Sequence, residues 1–302
     1  MIVYFAGCDA GKQFVQALAA VGVRNYFFSY YYLKESGIKD IETMFDTAKL
    51  PSGKIKIMVD SGAFTLLLKI WKGKKSSKAK VKEIGEQYFC DYADWVVHNQ
   101  KNLTSVVNLD LDTVFGEKVI TDWNMELLKH VKDTEICFVW HKYEHGLAGW
   151  RKFCKTYNYV GCSGVLSGRI EMGELIARIG IAKDYGVRVH GLGMTRFRML
   201  DKTAFFSVDS TSWLSALKFG STHLTVKNNM YTYAKEMKTG ARLPYLRQFK
   251  EAGLTDEDIA LIRKDNWRGL MKLNAVGVKQ KGEIINKLGE YNQWYRRYED
   301  GC

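Results

Sequence analysis

The sequence has little proline and no long apolar runs, and each shortage excludes a class of protein. Only 2 of its 302 residues are Pro, while 46% are hydrophobic, a composition that excludes a disordered chain and a collagen-like one. Its apolar segments, such as residues 66–71, are soon interrupted by Lys and fall short of the roughly 18 residues of a membrane span. The first segment, MIVYFAGCDAGK, lacks a basic stretch and predicts a strand, not a signal peptide. We therefore expect a cytoplasmic protein with no membrane partner.

Cysteine is too scattered to build a site. The six cysteines have no C-x-x-C spacing, so neither a disulfide framework nor a cysteine-based zinc site is supported. Four of them lie inside apolar segments, where a thiol behaves as a small hydrophobic group. We therefore expect no bound metal.

Positive charge is in excess. The chain carries 45 Lys and Arg against 33 Asp and Glu, a formal charge of +12. Such an excess favours a polyanionic partner, because each Lys or Arg on a phosphate releases a counterion. It is equally compatible with a surface charged for solubility. Charge alone leaves both interpretations open.

Short β-rich segments alternate with stretches long enough for helices. Most are apolar on both faces, as in parallel strands covered by helices, and most intervals leave room for a crossover helix. This rhythm predicts an α/β fold, a (β/α)8 TIM-type barrel over residues 1–220, with a doubly wound open sheet as the alternative. The eight predicted strands are residues 25–29, 57–62, 94–98, 106–111, 137–141, 159–164, 188–193 and 205–209.

The pattern changes at about residue 221. Thr255 precedes three acidic residues and an apolar stripe, the pattern of a helix N-cap. We expect residues 221–302 to form a mainly helical C-terminal region packed on the barrel. The aromatic and basic residues 294–298 of its last helix could bind nucleic acid. The alternative is a helix that docks on its aromatic face and leaves its arginines in solvent.

Polar or turn residues follow the predicted strands. In a barrel, the C-terminal strand ends meet at one opening, here called the mouth, where catalytic groups are found. Any one of these residues could instead be a strand-end cap or part of a turn. The residues at these ends are Asp60, His98, Asp110, His141, Gly164, Gly193 and Asp209.

Two of these carboxylates have the local setting of reacting groups. Asp60 lies in VDSGAF, where an apolar strand delivers a carboxylate into a glycine turn, and Asp209 lies likewise in FSVDSTSW. A buried carboxylate has a raised pKa, which suits proton transfer, although Asp60 could also simply cap the next helix. One acid that moves protons and one that attacks carbon can displace a group at a sugar anomeric carbon.

Six segments together resemble the tRNA-guanine transglycosylase superfamily. They are IMVDSGAF, LDLDT, FVWH, GCSGVLSG, VHGLGMT and SVDS, in the family's order across residues 57–213. The resemblance is closest to the phage-encoded DNA-guanine transglycosylases, in which DSGAF, HGxG and SVDSxSW are typical. The zinc subdomain of the tRNA enzymes is not expected, since Cys302 is the only cysteine after Asp209, and this favours DNA over tRNA as the substrate.

The resemblance implies roles for individual residues. Asp60 would be the general acid and base and Asp209 the nucleophile that forms a covalent glycosyl intermediate. The enzyme would exchange a guanine, flipped out of duplex DNA, for a free 7-deazaguanine base, with no cofactor, and it could be a homo-oligomer. Trp71, Trp213 or Phe64 could fill the gap or stack on the base. The implied base-binding residues are Asp110, Asp112, His141, Gly164, Val165, Ser61, Gly62, Phe64 and Gly193.

Lysines follow DSGAF with no acid between them. If this segment leaves the mouth of a barrel, its charge lies where a phosphate backbone must pass. The alternative is a solvated lysine-rich loop. The lysines expected to contact the nucleic-acid backbone are Lys72, Lys74, Lys75, Lys78 and Lys80.

Three other functions remain open. Residues 141–145 spell H-x-x-E-H, the inverted zincin motif, but a zinc peptidase needs both histidines on one helical face. Here His141 ends an apolar run and glycines follow His145 directly, which favours a strand end and a loop. The second alternative is a transglycosylase that acts on RNA. The third is a non-catalytic barrel that binds nucleic acid.

Overall fold

The structure, a computed structural model, contains a closed barrel of eight parallel strands. Each strand pairs with the next one along the chain, and β8 pairs with β1 to close the barrel. This confirms the predicted (β/α)8 fold. The structure describes residues 1–45, 54–72, 78–140, 145–162, 171–194, 200, 202–211, 214, 221–226, 229–234, 246–264 and 266–289. The strands are β1 Ile2–Ala6, β2 Asn25–Ser29, β3 Lys56–Asp60, β4 Ser105–Val107, β5 Glu135–Trp140, β6 Tyr159–Cys162, β7 Arg188–Gly191 and β8 Ser207–Ser210.

In the part of the barrel that the structure describes, eight helices accompany the strands. Among the described residues, no helix is both long enough and apolar enough to cross a bilayer. The helices are α1 Lys12–Ala20, α2 Tyr30–Glu35, α3 Ala63–Lys72, α4 Lys78–Asn99, α5 Asp112–Phe115, α6 Glu117–His130, α7 Gly146–Thr156 and α8 Met172–Asp184, with short 3-10 turns at Cys8–Ala10, Ile41–Met44 and Gln100–Asn102.

The strands are apolar on both faces because each face packs against a different core. In β1, Val3 and Phe5 belong to the large core between barrel and helices. The alternate residues Ile2, Tyr4 and Ala6 belong to a second, smaller cluster. Since successive strand side chains point to opposite faces, this second cluster fills the barrel interior. Parallel strands buried in this way lose the polar–apolar alternation of a half-exposed sheet.

One predicted strand is wrong. Residues 94–98 form the end of α4, and the strand that completes the barrel is β1. The five-residue run DWVVH is ambiguous by itself, but Tyr88, Tyr92, Trp95 and Asn99 are all buried, at the spacing of one helical face. His98 therefore does not reach the mouth; it is exposed, and its Nε2 lies 2.6 Å from Asp40 Oδ1.

The C-terminal region begins with strands, where a helical region was expected. β9 Ser221–Val226 and β10 Asn229–Ala234 form an antiparallel hairpin, and their alternating β-branched and aromatic residues explain this outcome. Three helices follow, α9 Leu246–Glu251, α10 Asp256–Arg263 and α11 Trp267–Gly289. The Thr255 N-cap is present, with Asp258 N donating to Thr255 Oγ1 at 3.2 Å. Residues 294–298 lie outside the described residues.

The hairpin and the last helices share a small core that contacts the barrel. Leu224 of β9, Phe249 of α9 and Ile262 of α10 are buried together, and Val21, which follows α1, packs against this cluster. Met271 of α11 belongs to the main core. The C-terminal helices are thus packed against the barrel, where α11 contacts α1 and β1.

Candidate active site

Four carboxylates come together at the mouth. Asp60 ends β3, Asp110 and Asp9 follow β4 and β1, and Asp209 lies in β8. The charges of Asp110, Asp209 and Asp9 each raise the pKa of Asp60, so each of these groups lies near Asp60. The structure therefore brings the two predicted catalytic residues, Asp60 and Asp209, to one opening.

Asp60 is poised to exchange a proton near neutral pH. Burial is the main cause of its raised pKa, and repulsion from Asp110 is the second. A hydrogen bond from Gly62 N to Oδ2, 3.0 Å long, opposes both. The resulting pKa is about 7, well above the usual 3.8. A carboxyl group with this pKa can act as an acid in one step and as a base in the next.

The turn after β3 fixes the direction of Asp60. Ser61 is fully buried; its hydroxyl donates to the carbonyl oxygen of Asn108 at 3.0 Å, and its own carbonyl accepts from the hydroxyl of Tyr88 at 2.7 Å. Gly62 has a φ of +78°, and a Cβ there would lie 2.4 Å from Tyr31 Cβ. Ser61 and Gly62, expected to bind a base, thus form the turn that orients Asp60.

The surroundings of Asp209 differ from those of Asp60, because a backbone amide and an imidazole nitrogen contact its carboxylate. It is buried, and its Oδ1 accepts a 2.6 Å hydrogen bond from Gly193 N and lies 3.3 Å from Nε2 of His190. Gly193, with a φ of +65°, forms the turn after β7. The backbone amide of this predicted base-binding residue is therefore directed at Asp209.

His190 is a site residue that the sequence analysis missed. Its Nδ1 lies 2.8 Å from Ser207 Oγ, which lies 2.6 Å from the hydroxyl of Tyr159. All three residues are buried. The signal was available: Ser207 and Asp209 are two residues apart on β8, so they share its inward face, and His190 lies in β7, the adjacent strand.

Asp9 was also missed. It lies in the 3-10 turn after β1, and burial raises its pKa to about 6 against opposing backbone hydrogen bonds, including one from Ser29. Its position at a strand end follows the same rule that identified Asp60. Asp9 was not predicted as a site residue because residues 2–6 were not counted among the barrel strands.

A cavity of about 360 Å³ lies between α6 and α7 and reaches the ends of β4 and β5, a volume typical of small-molecule sites. In the described part of the chain, two buried polar atoms of its lining residues, Asp112 Oδ1 and Trp140 Nε1, have no hydrogen-bond partner. The cavity thus offers an unused acceptor and an unused donor beside aromatic walls. Its lining includes Asp110, Asp112, Asn124, Trp140, Phe153 and Tyr157.

Three of the five predicted phosphate-contacting lysines lie in helices that the structure describes. The Tyr88 side chain in α4 bonds to the turn of Ser61 at the mouth. Lys80, exposed, comes eight residues earlier in the same helix, about 12 Å further along its axis. Lys78 begins α4 and Lys72 ends α3. The basic start of α4 therefore projects past the mouth.

The other predicted residues are partly described. Phe64, in the first turn of α3, is 73% exposed, as a stacking residue would need to be. Lys74, Lys75, His141, Gly164, Val165, Trp213 and the side chain of Trp71 lie outside the described part of the structure. His145 precedes α7, which is not the helical position that the zinc peptidase motif requires. Within the described ranges, no group of three His, Cys, Asp or Glu side chains could hold a metal ion.

Comparison with known proteins supports the fold only. No protein-family model matches the chain, and no curated protein is similar to it. Among solved structures, it is similar to a protein from Coccidioides immitis assigned as a fructose-1,6-biphosphate aldolase. That similarity has a TM-score of 0.54 at 10% identity and covers 95% of this chain and 91% of the other. At this identity the likeness concerns the barrel, and function has to be argued from the site.

Proposed function

We propose that this protein is an enzyme, a DNA-guanine transglycosylase that exchanges a guanine in DNA for a 7-deazaguanine derivative. The observation that carries the proposal is the pair of carboxylates at one mouth. Asp60 has a pKa of about 7, and Asp209 accepts a hydrogen bond from the backbone amide of Gly193. Carboxylates in such different settings take different chemical tasks.

The reaction proceeds through two displacements. An oxygen of Asp209 bonds to the anomeric carbon of deoxyribose as the bond from that carbon to guanine breaks, and the bonding electron pair leaves with the base. Asp60 donates a proton to the departing guanine. The incoming 7-deazaguanine then gives its N9 proton to Asp60, and its nitrogen displaces Asp209. Two displacements retain the configuration, and no cofactor is needed because one glycosidic bond replaces another.

The cavity beside Asp110 suits a guanine-like base. A carboxylate is the natural acceptor for the N–H donors along the guanine edge, and the indole N–H of Trp140 is a donor for its 6-oxo group. Asp112 and Trp140 line the cavity, and their Oδ1 and Nε1 atoms are buried without partners in the described part of the chain. Asp110 lines the cavity and also raises the pKa of Asp60, which relates the cavity to the reacting acids.

Duplex DNA is the favoured polymer. A base within the duplex must be flipped out at a cost of a few kcal/mol before its sugar carbon is accessible. Phe64, exposed beside Asp60, is suited to fill the gap or stack on a base. The projecting start of α4 and the net charge of +12 are suited to the phosphate backbone.

The proposal is tested by exchange of radiolabelled guanine into duplex DNA and, separately, into tRNA. We expect label in DNA, a protein–DNA adduct that survives denaturation, and neither with Asp209→Ala. Label in tRNA alone would favour the RNA-acting alternative. DNA binding without exchange would indicate a non-catalytic barrel. Mass spectrometry of nucleosides from DNA co-expressed with the protein identifies which 7-deazaguanine is inserted.

A further inference from the structure

A chain of buried polar side chains runs from Asp209 into the barrel. Asp209 Oδ1 contacts His190 Nε2 at 3.3 Å, His190 Nδ1 contacts Ser207 Oγ at 2.8 Å, and Ser207 Oγ contacts the Tyr159 hydroxyl at 2.6 Å. His190 and Ser207 are 0% exposed. Because burial without partners is costly for such groups, each contact must hold a proton between two heavy atoms.

The chemistry of its two ends, Tyr159 and Asp209, fixes the direction in which hydrogen bonds are donated along this series of side chains. Burial holds the pKa of Tyr159 well above its usual value, so its hydroxyl keeps its proton and can donate to Ser207. Ser207 then donates to Nδ1 of His190, and the imidazole proton resides on Nε2, facing the carboxylate. In a neutral imidazole, the reverse order would place the lone pair of Nε2 against a carboxylate oxygen, which is repulsive.

The His190 ring is also fixed by its neighbours. Phe27 stacks on it at a centroid distance of 6.1 Å and an interplanar angle of 6°. Tyr4 and Tyr159 meet it edge-on at 6.3 and 6.4 Å. The imidazole thus has little freedom to turn away from Asp209.

We infer that His190 is a positioning residue for Asp209 and that it leaves Oδ2 as the attacking oxygen. Oδ1 is occupied by the N–H groups of Gly193 and His190, so Oδ2 is the oxygen that is left to form the bond to the sugar. When the incoming base breaks that bond, its electron pair returns to the carboxylate, and the two donors on Oδ1 stabilise the charge. This inference rests on the proposed function.

Kinetics of variants test the inference. Ser207→Ala removes the group that orients His190, and His190→Phe removes the donor at similar size. We expect kcat to fall about 10- to 100-fold in Ser207→Ala, and further in His190→Phe, with KM for the base changed less than about twofold. His190→Gln, whose amide N–H can reach Asp209, should recover part of the loss relative to His190→Phe.

Tyr4→Phe is the matched control. It removes a hydroxyl from a buried ring that touches the same imidazole but is not part of the chain, and it should leave kcat within about twofold of the wild type. If folded Ser207→Ala and His190→Phe proteins keep wild-type kcat, or if KM alone rises, the inference is wrong.

A second measurement does not depend on activity. Nitrogen-15 NMR of labelled histidine reports which ring nitrogen carries the proton, and the His190 signal is identified by its loss in His190→Gln. We expect the proton on Nε2 in the wild type and a mixture of tautomers in Ser207→Ala. A proton on Nδ1 alone in the wild type would overturn the inference. If instead the wild type exchanges no base while this tautomer is present, the proposed function fails and the placement of His190 stands.

Discussion

The two sides of the mouth place an aspartate in opposite kinds of surroundings. On the β7–β8 side, Asp209 Oδ1 accepts a hydrogen bond from the amide of Gly193 and lies 3.3 Å from the imidazole Nε2 of His190. On the β3 side, the donor to Asp60 among the described residues is Gly62 N, and the charges of other carboxylates raise the pKa of Asp60. Under the proposed function, the contacts of Asp209 orient the carboxylate that attacks. Neighbouring acids and burial keep a proton available on Asp60, the carboxyl group proposed to deliver it.

This contrast assigns the roles better than the motifs do. Both acids follow short apolar strands and precede serine, so their local sequences are nearly interchangeable. Their partners come from elsewhere in the chain. If the division between the two sides is real, substitutions on each side should have different effects.

The largest effect is expected for the nucleophile. Asp209→Asn should reduce base exchange by about 10⁴-fold or more, because no covalent intermediate can form. Asp60→Asn should slow the loss of guanine without preventing attack by Asp209. With a DNA whose target base is a better leaving group, Asp60→Asn should recover adduct formation and Asp209→Asn should not. Gel electrophoresis of denatured protein–DNA mixtures measures both, and equal recovery would contradict the division.

The pH profile should separate the half-reactions. Departure of guanine needs the proton of Asp60, so the rate of adduct formation should be flat below pH 7 and fall about tenfold per pH unit above it. Asp110→Asn removes a charge that raises the pKa of Asp60 and should move the fall to lower pH. Rapid-quench measurements across pH give the midpoint. Asp133→Asn, exposed near the start of β5, is the control and should not move it.

The raised pKa of Asp60 should also make the stability of the folded protein depend on pH. In the folded protein the pKa of Asp60 is raised from 3.8 to about 7, so the folded state binds its proton more tightly than the unfolded state does. The contribution of Asp60 to stability is therefore full below pH 3.8 and is lost as the pH rises to about 7. Asp60→Asn should raise the free energy of unfolding by about 4 kcal/mol above this range and barely change it below. Urea titrations at both ends of the range measure this, and an equal gain at both would refute it.

The two glycine turns should differ in how much stability they lose when the glycine is replaced by alanine. Gly62 and Gly193 both have positive φ, but only Gly62 has a close neighbour, Tyr31, where a Cβ would lie. Gly62→Ala should cost about 3 kcal/mol of stability from strain and overlap together. Gly193→Ala should cost about 1 kcal/mol, from its backbone conformation alone. Thermal unfolding compares the two variants, and equal costs would show that the turn at Asp60 is not the tighter one.

The smallest effect concerns DNA binding. Lys80→Glu should weaken binding to all DNA sequences by a similar factor and lower the salt dependence of binding by about one counterion. Lys183→Glu alters an exposed lysine at the end of α8, near the start of β7 and thus at the opposite end of the barrel, and it should leave binding unchanged. Fluorescence anisotropy at several salt concentrations makes the comparison.

Most of the fold was predictable because each barrel strand is defined by residues that are adjacent in the sequence. Seven of the eight predicted strands overlap a strand of the barrel, since a short run of apolar residues between turns is visible in a small window. Residues 94–98 were wrong because a five-residue window hides the helical period of α4. Omission of β1 from the barrel then concealed Asp9.

The candidate site was predictable only in part. Asp60 and Asp209 were identified because strand ends meet at one mouth in every barrel of this kind. The interpretation of Ser61 and Gly62 was incomplete because their partners, Asn108 and Tyr31, lie on other elements. His190 was not assigned a role because its contacts with Asp209 and Ser207 join two strands.

The sequence by itself determined the spacing of the strands, the barrel and the end of the barrel at which the aspartates lie. These features depend on the order of neighbouring residues. Only the tertiary structure decided what each acid can do. The pKa of Asp60 depends on burial and on the charge of Asp110, and the orientation of Asp209 depends on Gly193 and His190. Coulombic and hydrogen-bond energies fall off with distance through space, and that distance is unrelated to separation along the chain.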